Sequence, residues 1–151
     1  MPPQIVTVRL DGPLYFGSAE HVARAFDGMR RKRPGQKIVL FYLKGSGKID
    51  LAGADFLIKA MRQVREAGGS FHMIALFPPL LASLRRLHVI EELGEENLHI
   101  SKGEALAASL SEIDTDICAC CSKRVFLECE GLPAPAKPGM PHQSKPVVAG
   151  N

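Results

Sequence analysis

The chain has 151 residues, 46% of them hydrophobic and 23% charged, which is the balance of an ordinary globular domain able to bury a core of its own. A net charge of +3, no Trp, two Tyr and seven Phe are too mild and too poor in stacking aromatics for a nucleic-acid binder. No run approaches the roughly 18–20 apolar residues of a membrane span, since the longest candidate, MIALFPPLLASL from Met73, is cut by Pro78-Pro79.

In chain order, Gln4 to Leu10 (QIVTVRL) is a partly alternating strand, and Asp11-Gly12-Pro13 turns it into a short second strand, Leu14 to Phe16. Two strands joined by so tight a turn are expected to pair antiparallel at one edge. Gly17-Ser18 opens a helix with Ser18 as N-cap, and Ala19, Val22, Ala23, Phe26 and Met29 recur at helical spacing. Arg30 to Arg33 crowd its C-terminal end, and Pro34-Gly35 stops it.

Lys37 to Leu43 (KIVLFYL) is continuously apolar, as in a parallel strand covered on both faces. Leu51 to Ala67 reads as a helix with Leu57, Ile58, Met61 and Val64 inward and Lys59, Arg62, Arg65 and Glu66 outward. After Gly68-Gly69 come a strand, Phe71 to Leu76, and a helix opened by Pro78-Pro79 with the stripe Leu80, Leu81, Leu84, Leu87. Asn97 to Ile100 is a short strand, and Ser101-Lys102-Gly103-Glu104 is a capping box for a helix from Glu104 to Leu110.

Strands alternating with helices predict an α/β domain over residues 4–113: a mainly parallel sheet with an antiparallel N-terminal edge strand and about four helices. Residues 114–151 are read as a Cys-containing, Pro-rich tail. Five of the eleven prolines lie in 131–151, which has no apolar periodicity and is expected to be largely disordered. The N-terminus lacks a secretory pattern, and all four cysteines lie in the last quarter, so an intracellular, reducing compartment is the expectation.

The loop after KIVLFYL, Gly45-Ser46-Gly47-Lys48, looks like the start of a phosphate-binding loop. A P-loop needs Gly, four residues, Gly-Lys and a hydroxyl residue. Tyr42 stands where the first Gly belongs and Ile49 where the hydroxyl belongs, so this is not one. The loop still carries the best physical case for a functional surface, because partners and ligands of open α/β sheets meet strand exits and helix N-termini. Gly45, Ser46, Gly47, Lys48, Asp50, Leu51, Ala52 and Gly53 are therefore the candidate binding residues. Asp50 is also placed to cap the following helix through the N–H of Gly53 or its neighbour.

Catalysis has little support. His21, His72, His88 and His99 lie in four different elements and no HExxH occurs, so a non-enzyme without cofactor is expected. Arg30 to Arg33 suit either a helix C-terminus or an anionic partner. Cys118, Cys120, Cys121 and Cys129 offer thiolates for zinc, but not two paired Cys-X-X-Cys knuckles, so reduced free thiols are the better reading. Arg124 to Glu128 (RVFLE) suits a short strand or a docking segment.

The order strand, strand, helix, then three strand-helix units, with IDLAGADFL (Ile49 to Leu57) at the exit of the strand KIVLFYL, resembles the STAS domain. That family comprises anti-sigma-factor antagonists and the cytoplasmic C-terminal portion of SulP-family anion transporters. DGPLYFGSAEHV (Asp11 to Val22) and ENLHISKGEALA (Glu96 to Ala107) are similar to the transporter branch. In the antagonists the loop reads Asp-Ser-Ser-Gly and a phosphorylated Ser switches partner binding. Here Asp50 and Gly53 match, but Leu51 and Ala52 have no hydroxyl.

The resemblance therefore implies a non-catalytic regulatory domain of a sulfate or other anion transporter. It would sit at the cytoplasmic face of the inner membrane and meet the transporter's transmembrane domain and, in some settings, a cytosolic protein. It implies two further readings as alternatives: a freestanding antagonist-like regulator, or a weak nucleotide-binding module near the same loop.

Overall fold

The computed structural model describes residues 4–122 and 127–131. Four strands, β1 Ile5–Asp11, β2 Ile38–Lys44, β3 Ser70–Ile74 and β4 Leu98–His99, form one sheet in the order β1-β2-β3-β4. Every neighbouring pair is parallel, with Ile5 beside Ile38 and Ile38 beside Ser70. The central β2 is buried at Ile38 to Phe41 and again at Leu43, which is why its apolar run is unbroken.

Helices α1 Phe16–Lys32, α2 Leu51–Glu66, α3 Pro78–Arg86 and α4 Val89–Leu93 make the crossovers, and α5 Lys102–Ser109 and α6 Thr115–Ala119 follow β4. Because the strands lie in sequence order, right-handed crossovers put α1 to α4 on one face. There Val39, Phe41, Phe71 and Met73 pack against Phe26, Leu57, Met61, Val64, Leu80, Leu84 and Ile90. The alternate residues Ile5, Ile38, Leu40 and Ile74 turn to the other face, which Ala105 and Leu106 of α5 cover.

Phe26 is the hub of the larger core. Its ring meets Phe41 at 6.2 Å and Phe56 at 6.1 Å, both edge-on, while Phe41 stacks on Phe71 at 5.6 Å. Arg62 and Arg65 are solvent-facing as read and also reach Glu92 of α4 at 2.9 and 2.8 Å. The Arg62 hydrogen bond is the main cause holding that carboxyl below its usual range.

Three expectations need correction. The strand Leu14 to Phe16 does not form: Leu14 makes one isolated parallel bridge to Ile49, and Phe16 is the first residue of α1. Pro13 has no N–H to give a ladder, and the Phe16 N–H donates to Asp50 Oδ2 at 2.8 Å. The sheet is thus wholly parallel among the described residues. α1 also begins before Ser18, whose hydroxyl oxygen accepts from the Tyr15 N–H within the first turn at 3.2 Å.

The helices number six among the described residues, not about four. His88, at φ 59°, follows the Leu80–Leu87 stripe and divides α3 from a separate short α4, and α6 forms where the tail was expected to begin. Asp114 caps α6, accepting from the Asp116 N–H at 2.9 Å, and its backbone is held by Gln4 through bonds of 2.8 and 2.7 Å. The capping box opens α5 as read, with Ser101 Oγ accepting from the Glu104 N–H at 3.1 Å. Its return bond from Glu104 goes to the Ile100 N–H at 3.0 Å, one residue earlier than usual. The expected disordered tail from 132 onward, and residues 124–126 of RVFLE, lie outside the described residues.

Phe26→Ala should empty the centre of the aromatic group. Urea denaturation is expected to show a loss of about 3–5 kcal/mol, with the secondary structure retained before the transition.

Candidate functional site

β2 runs into a loop whose shape rests on three residues. Gly45 takes φ +76°, a conformation that a side chain would strain. Ser46 is 2% exposed, and its hydroxyl donates to the Gly12 carbonyl in the loop after β1. Asp50 then caps α2, with Oδ1 accepting from the Gly53 N–H at 2.9 Å.

The same carboxylate does more than the sequence reading foresaw. Its Oδ2 takes the Phe16 N–H at the start of α1, so one side chain caps two helices. The Gly53 and Phe16 donors, in that order, hold the Asp50 carboxyl below the ordinary Asp range. Gly53 completes the joint: a Cβ there would lie 2.6 Å from the Leu14 carbonyl oxygen and 3.0 Å from Leu14 Cγ. The Asp-X-X-Gly spacing is thus a packing device that draws Leu14, wholly buried, against the first turn of α2.

Of the eight candidate residues, Gly45, Lys48, Asp50 and Leu51 are exposed, Gly47 and Ala52 are half-buried, and Ser46 and Gly53 are buried. Ser46 therefore serves the loop's shape instead of offering a hydroxyl to a partner. Leu51 is 74% exposed at the first position of α2, in full view of solvent.

Sequence reasoning missed its neighbours in function. Phe16 is 81% exposed, Ile100 66%, and Tyr15, Leu76 and Phe77 about half. With all strands parallel, the exits of β1 to β4 share one end of the sheet, and each exit contributes at least one of these side chains. Phe16 and Leu51 open α1 and α2, and Phe77 caps α3. A residue in such a position overhangs the strand ends and has no core beneath it. The legible signal was a large apolar residue beside each helix cap. Leu76 and Phe77 line a cleft of about 360 Å³ with Tyr42, Gly45, Ser46 and Gly47. Phe16 borders a wider groove between α1 and α2, of about 590 Å³, with Arg24, Asp55 and Lys59.

Other candidates resolve differently. A sheet in the order β1-β2-β3-β4 has no reversal of strand order, hence none of the crevice where dinucleotides sit in doubly wound folds. Arg30, Arg31 and Lys32 form the last turn of α1, where cations suit the helix dipole. Cys118 Sγ accepts from Gln4 Nε2 at 3.3 Å, and burial pushes its thiol up. Among the described residues no group of three or more His, Cys, Asp or Glu is placed to hold a metal ion, and no helix is long and apolar enough to cross a membrane. His72 and His99, distant in sequence, do meet inside the domain.

A family model described as the STAS domain matches residues 2–107. A solved sulfate transporter family protein from Wolinella succinogenes is similar at 25% identity and a TM-score of 0.62, over 72% of this chain and 88% of that one. The STAS domain of a SulP transporter from Vibrio cholerae is similar at 21% and 0.61, over 74% and 85%. The anti-sigma factor antagonist SpoIIAA in its unphosphorylated form is similar at 16% and 0.55, over 74% and 93%. These last two likenesses concern the fold alone. No match was found among curated protein sequences.

Substitutions at two positions test the joint. Gly53→Ala is expected to cost on the order of 1–3 kcal/mol in thermal or urea unfolding, since backbone lies in the way of the new methyl. Asp50→Ala should destabilise more than Asp50→Asn, which keeps one acceptor. Because the folded Asp50 carboxyl is depressed, its contribution is fully present above the unfolded value of about 3.9. It is lost as pH falls through the folded value. The stability gap between wild type and Asp50→Ala should be constant from neutral pH down to mild acid and should close only in strong acid.

Proposed function

Because the chain belongs to the STAS domain family, we propose that it is the regulatory, protein-docking domain of a SulP-type anion transporter, acting by contact and without catalysis. The observation that carries the reading is the apolar rim: Tyr15, Phe16, Leu51, Leu76, Phe77 and Ile100 are exposed at one end of the sheet. Scattered apolar residues on a surface are ordinary, whereas a set gathered on one edge marks an interaction site.

The transporter branch is favoured by the similarity to a sulfate transporter family protein and by DGPLYFGSAEHV, whose Leu14, Tyr15 and Phe16 build both the joint and the rim. The transporter's own transmembrane domain is then the main partner, sulfate or a related anion the cargo, and the cytoplasmic face of the inner membrane the location. Gly45 to Gly53 serve as a fixed contact loop. Asp50 and Gly53 keep its geometry, and Leu51 and Ala52 give a kinase nothing to modify, so the contact is constitutive.

The antagonist-like fold keeps a second reading in view, a freestanding regulator switched by phosphorylation. Ser46, the hydroxyl nearest the motif, is buried, which disfavours it.

The test uses the complete reading frame to which this chain belongs, expressed in cells deficient in sulfate uptake. The double variant Phe16→Ser, Phe77→Ser should lower uptake several-fold while the stability of the isolated domain changes by less than about 1 kcal/mol, as expected for exposed positions. Undiminished uptake would sink the docking role. A reading frame without apolar spans of about 20 residues, together with kinase labelling of Ser46, would transfer the reading to the freestanding regulator.

A further inference from the structure

β3 and β4 set two histidines side by side in the interior. His72 Nδ1 and His99 Nε2 are 3.0 Å apart, and the two residues are 1% and 4% exposed. Two neutral imidazoles at this distance hold one proton between the facing nitrogens, one ring donating and the other accepting. The far nitrogen of His72, Nε2, has no hydrogen-bond partner among the described residues. Glu112 Oε1 lies 3.2 Å from it, at ion-pair distance but outside hydrogen-bond geometry.

The surroundings are otherwise short of charge. β2 places Leu40 opposite His72, and Tyr42 beyond it lies under Lys102 of α5, 5.4 Å from the ring centre. Glu104, also on α5, acts on His99 electrostatically, partly offsetting burial and His72, which together hold His99 below the ordinary imidazole range. Glu112 ends the short turn Leu110–Glu112 after α5. The polar pair therefore lies under the segment that carries α5 and α6. That segment is otherwise held by Ala105 and Leu106 in the smaller core and by the bonds between Gln4 and Asp114.

We propose that His72 and His99 form a one-proton sensor that sets how firmly residues 102–119 are held on the sheet. With one proton added, His72 becomes an imidazolium whose Nδ1–H donates to His99 Nε2 and whose Nε2–H faces the Glu112 carboxylate. The orphan nitrogen gains a partner, and the charge is paired across the edge of the segment. A second proton makes both facing nitrogens donors and sets two positive charges 3.0 Å apart in a dry site, which no tautomer relieves. The pair must then part, and α5, the only described helix that covers it, lifts with it. The first proton tightens the segment, and the second releases it.

The whole chain, labelled with ¹⁵N, gives the test through imidazole spectra and amide exchange from pH 8 to 4. Free histidine in the same buffer serves as the reference. The pair should take up one proton in a first step and a second only at lower pH, together with faster exchange confined to 102–119. Glu112→Gln should move the first step to lower pH by about one unit, a tenfold change in proton affinity. His99→Gln, which keeps a neutral partner for His72, should abolish the acid release. Two independent one-proton titrations matching that of free histidine would overturn the proposal, whether or not the variants fold. So would exchange in 102–119 that, corrected for the intrinsic effect of pH, follows the sheet. Neither result bears on the docking rim, which rests on uptake.

Discussion

The carboxylate of Asp50 fixes the functional end of this domain. Its two oxygens take the Gly53 N–H of α2 and the Phe16 N–H of α1, and the first turns of these helices contain no other acidic side chain. The positive ends of two helix dipoles thus share one negative group. Gly53 lets Leu14 close against α2, and Ser46 ties the second loop to Gly12 of the first. Two loops that are 34 residues apart in sequence behave as one joint because their backbone donors and acceptors satisfy each other.

A rigid joint has a consequence for what it displays. Phe16 and Leu51 each stand within the capped first turns, so neither can fold back into the core without breaking a cap. Leaving a large apolar side chain in water forgoes roughly 1.5–3 kcal/mol of burial. This domain does so at every strand exit, while its core is packed around Phe26, Phe41 and Met61, and it is this exposure that the proposed docking role uses. The geometry that a phosphorylatable loop would need is kept, and its occupants at 51 and 52 are apolar. Under the proposed docking role, such a loop favours permanent contact over switched contact.

Much of this was legible in the sequence, for reasons that also explain what was not. KIVLFYL had to be a central strand, and the helix after Asp50 had to begin there, since both signals are local. Leu14 to Phe16 misled because its hydrophobicity suits a strand, whereas its fate depends on Asp50, which no local pattern reveals. His88 carries none of the marks of a helix break, yet its left-handed backbone divides α3 from α4. The histidine pair was invisible for the same reason: His72 and His99 are 27 residues apart and meet only because β4 pairs with β3.

The two faces of the sheet are therefore built to different standards. One face is a broad apolar core under α1 to α4, and the other is a narrow one under α5, into which the period-two alternation of β3 sends His72 while Phe71 and Met73 go the opposite way. The weaker face adjoins the contact surface directly. Ile100, on the exposed rim, stands between His99 and the Ser101 cap of α5, and its N–H donates to Glu104. Under the proposed sensor, a proton that loosens α5 must also displace Ile100. The apolar rim would then lose the side chain from the β4 exit while Phe16 and Leu51, fixed by Asp50, stay in place. The domain's constant contact, at the exits of β1 and β2, and its adjustable contact, at the exit of β4, would then share one rim with β3 between them.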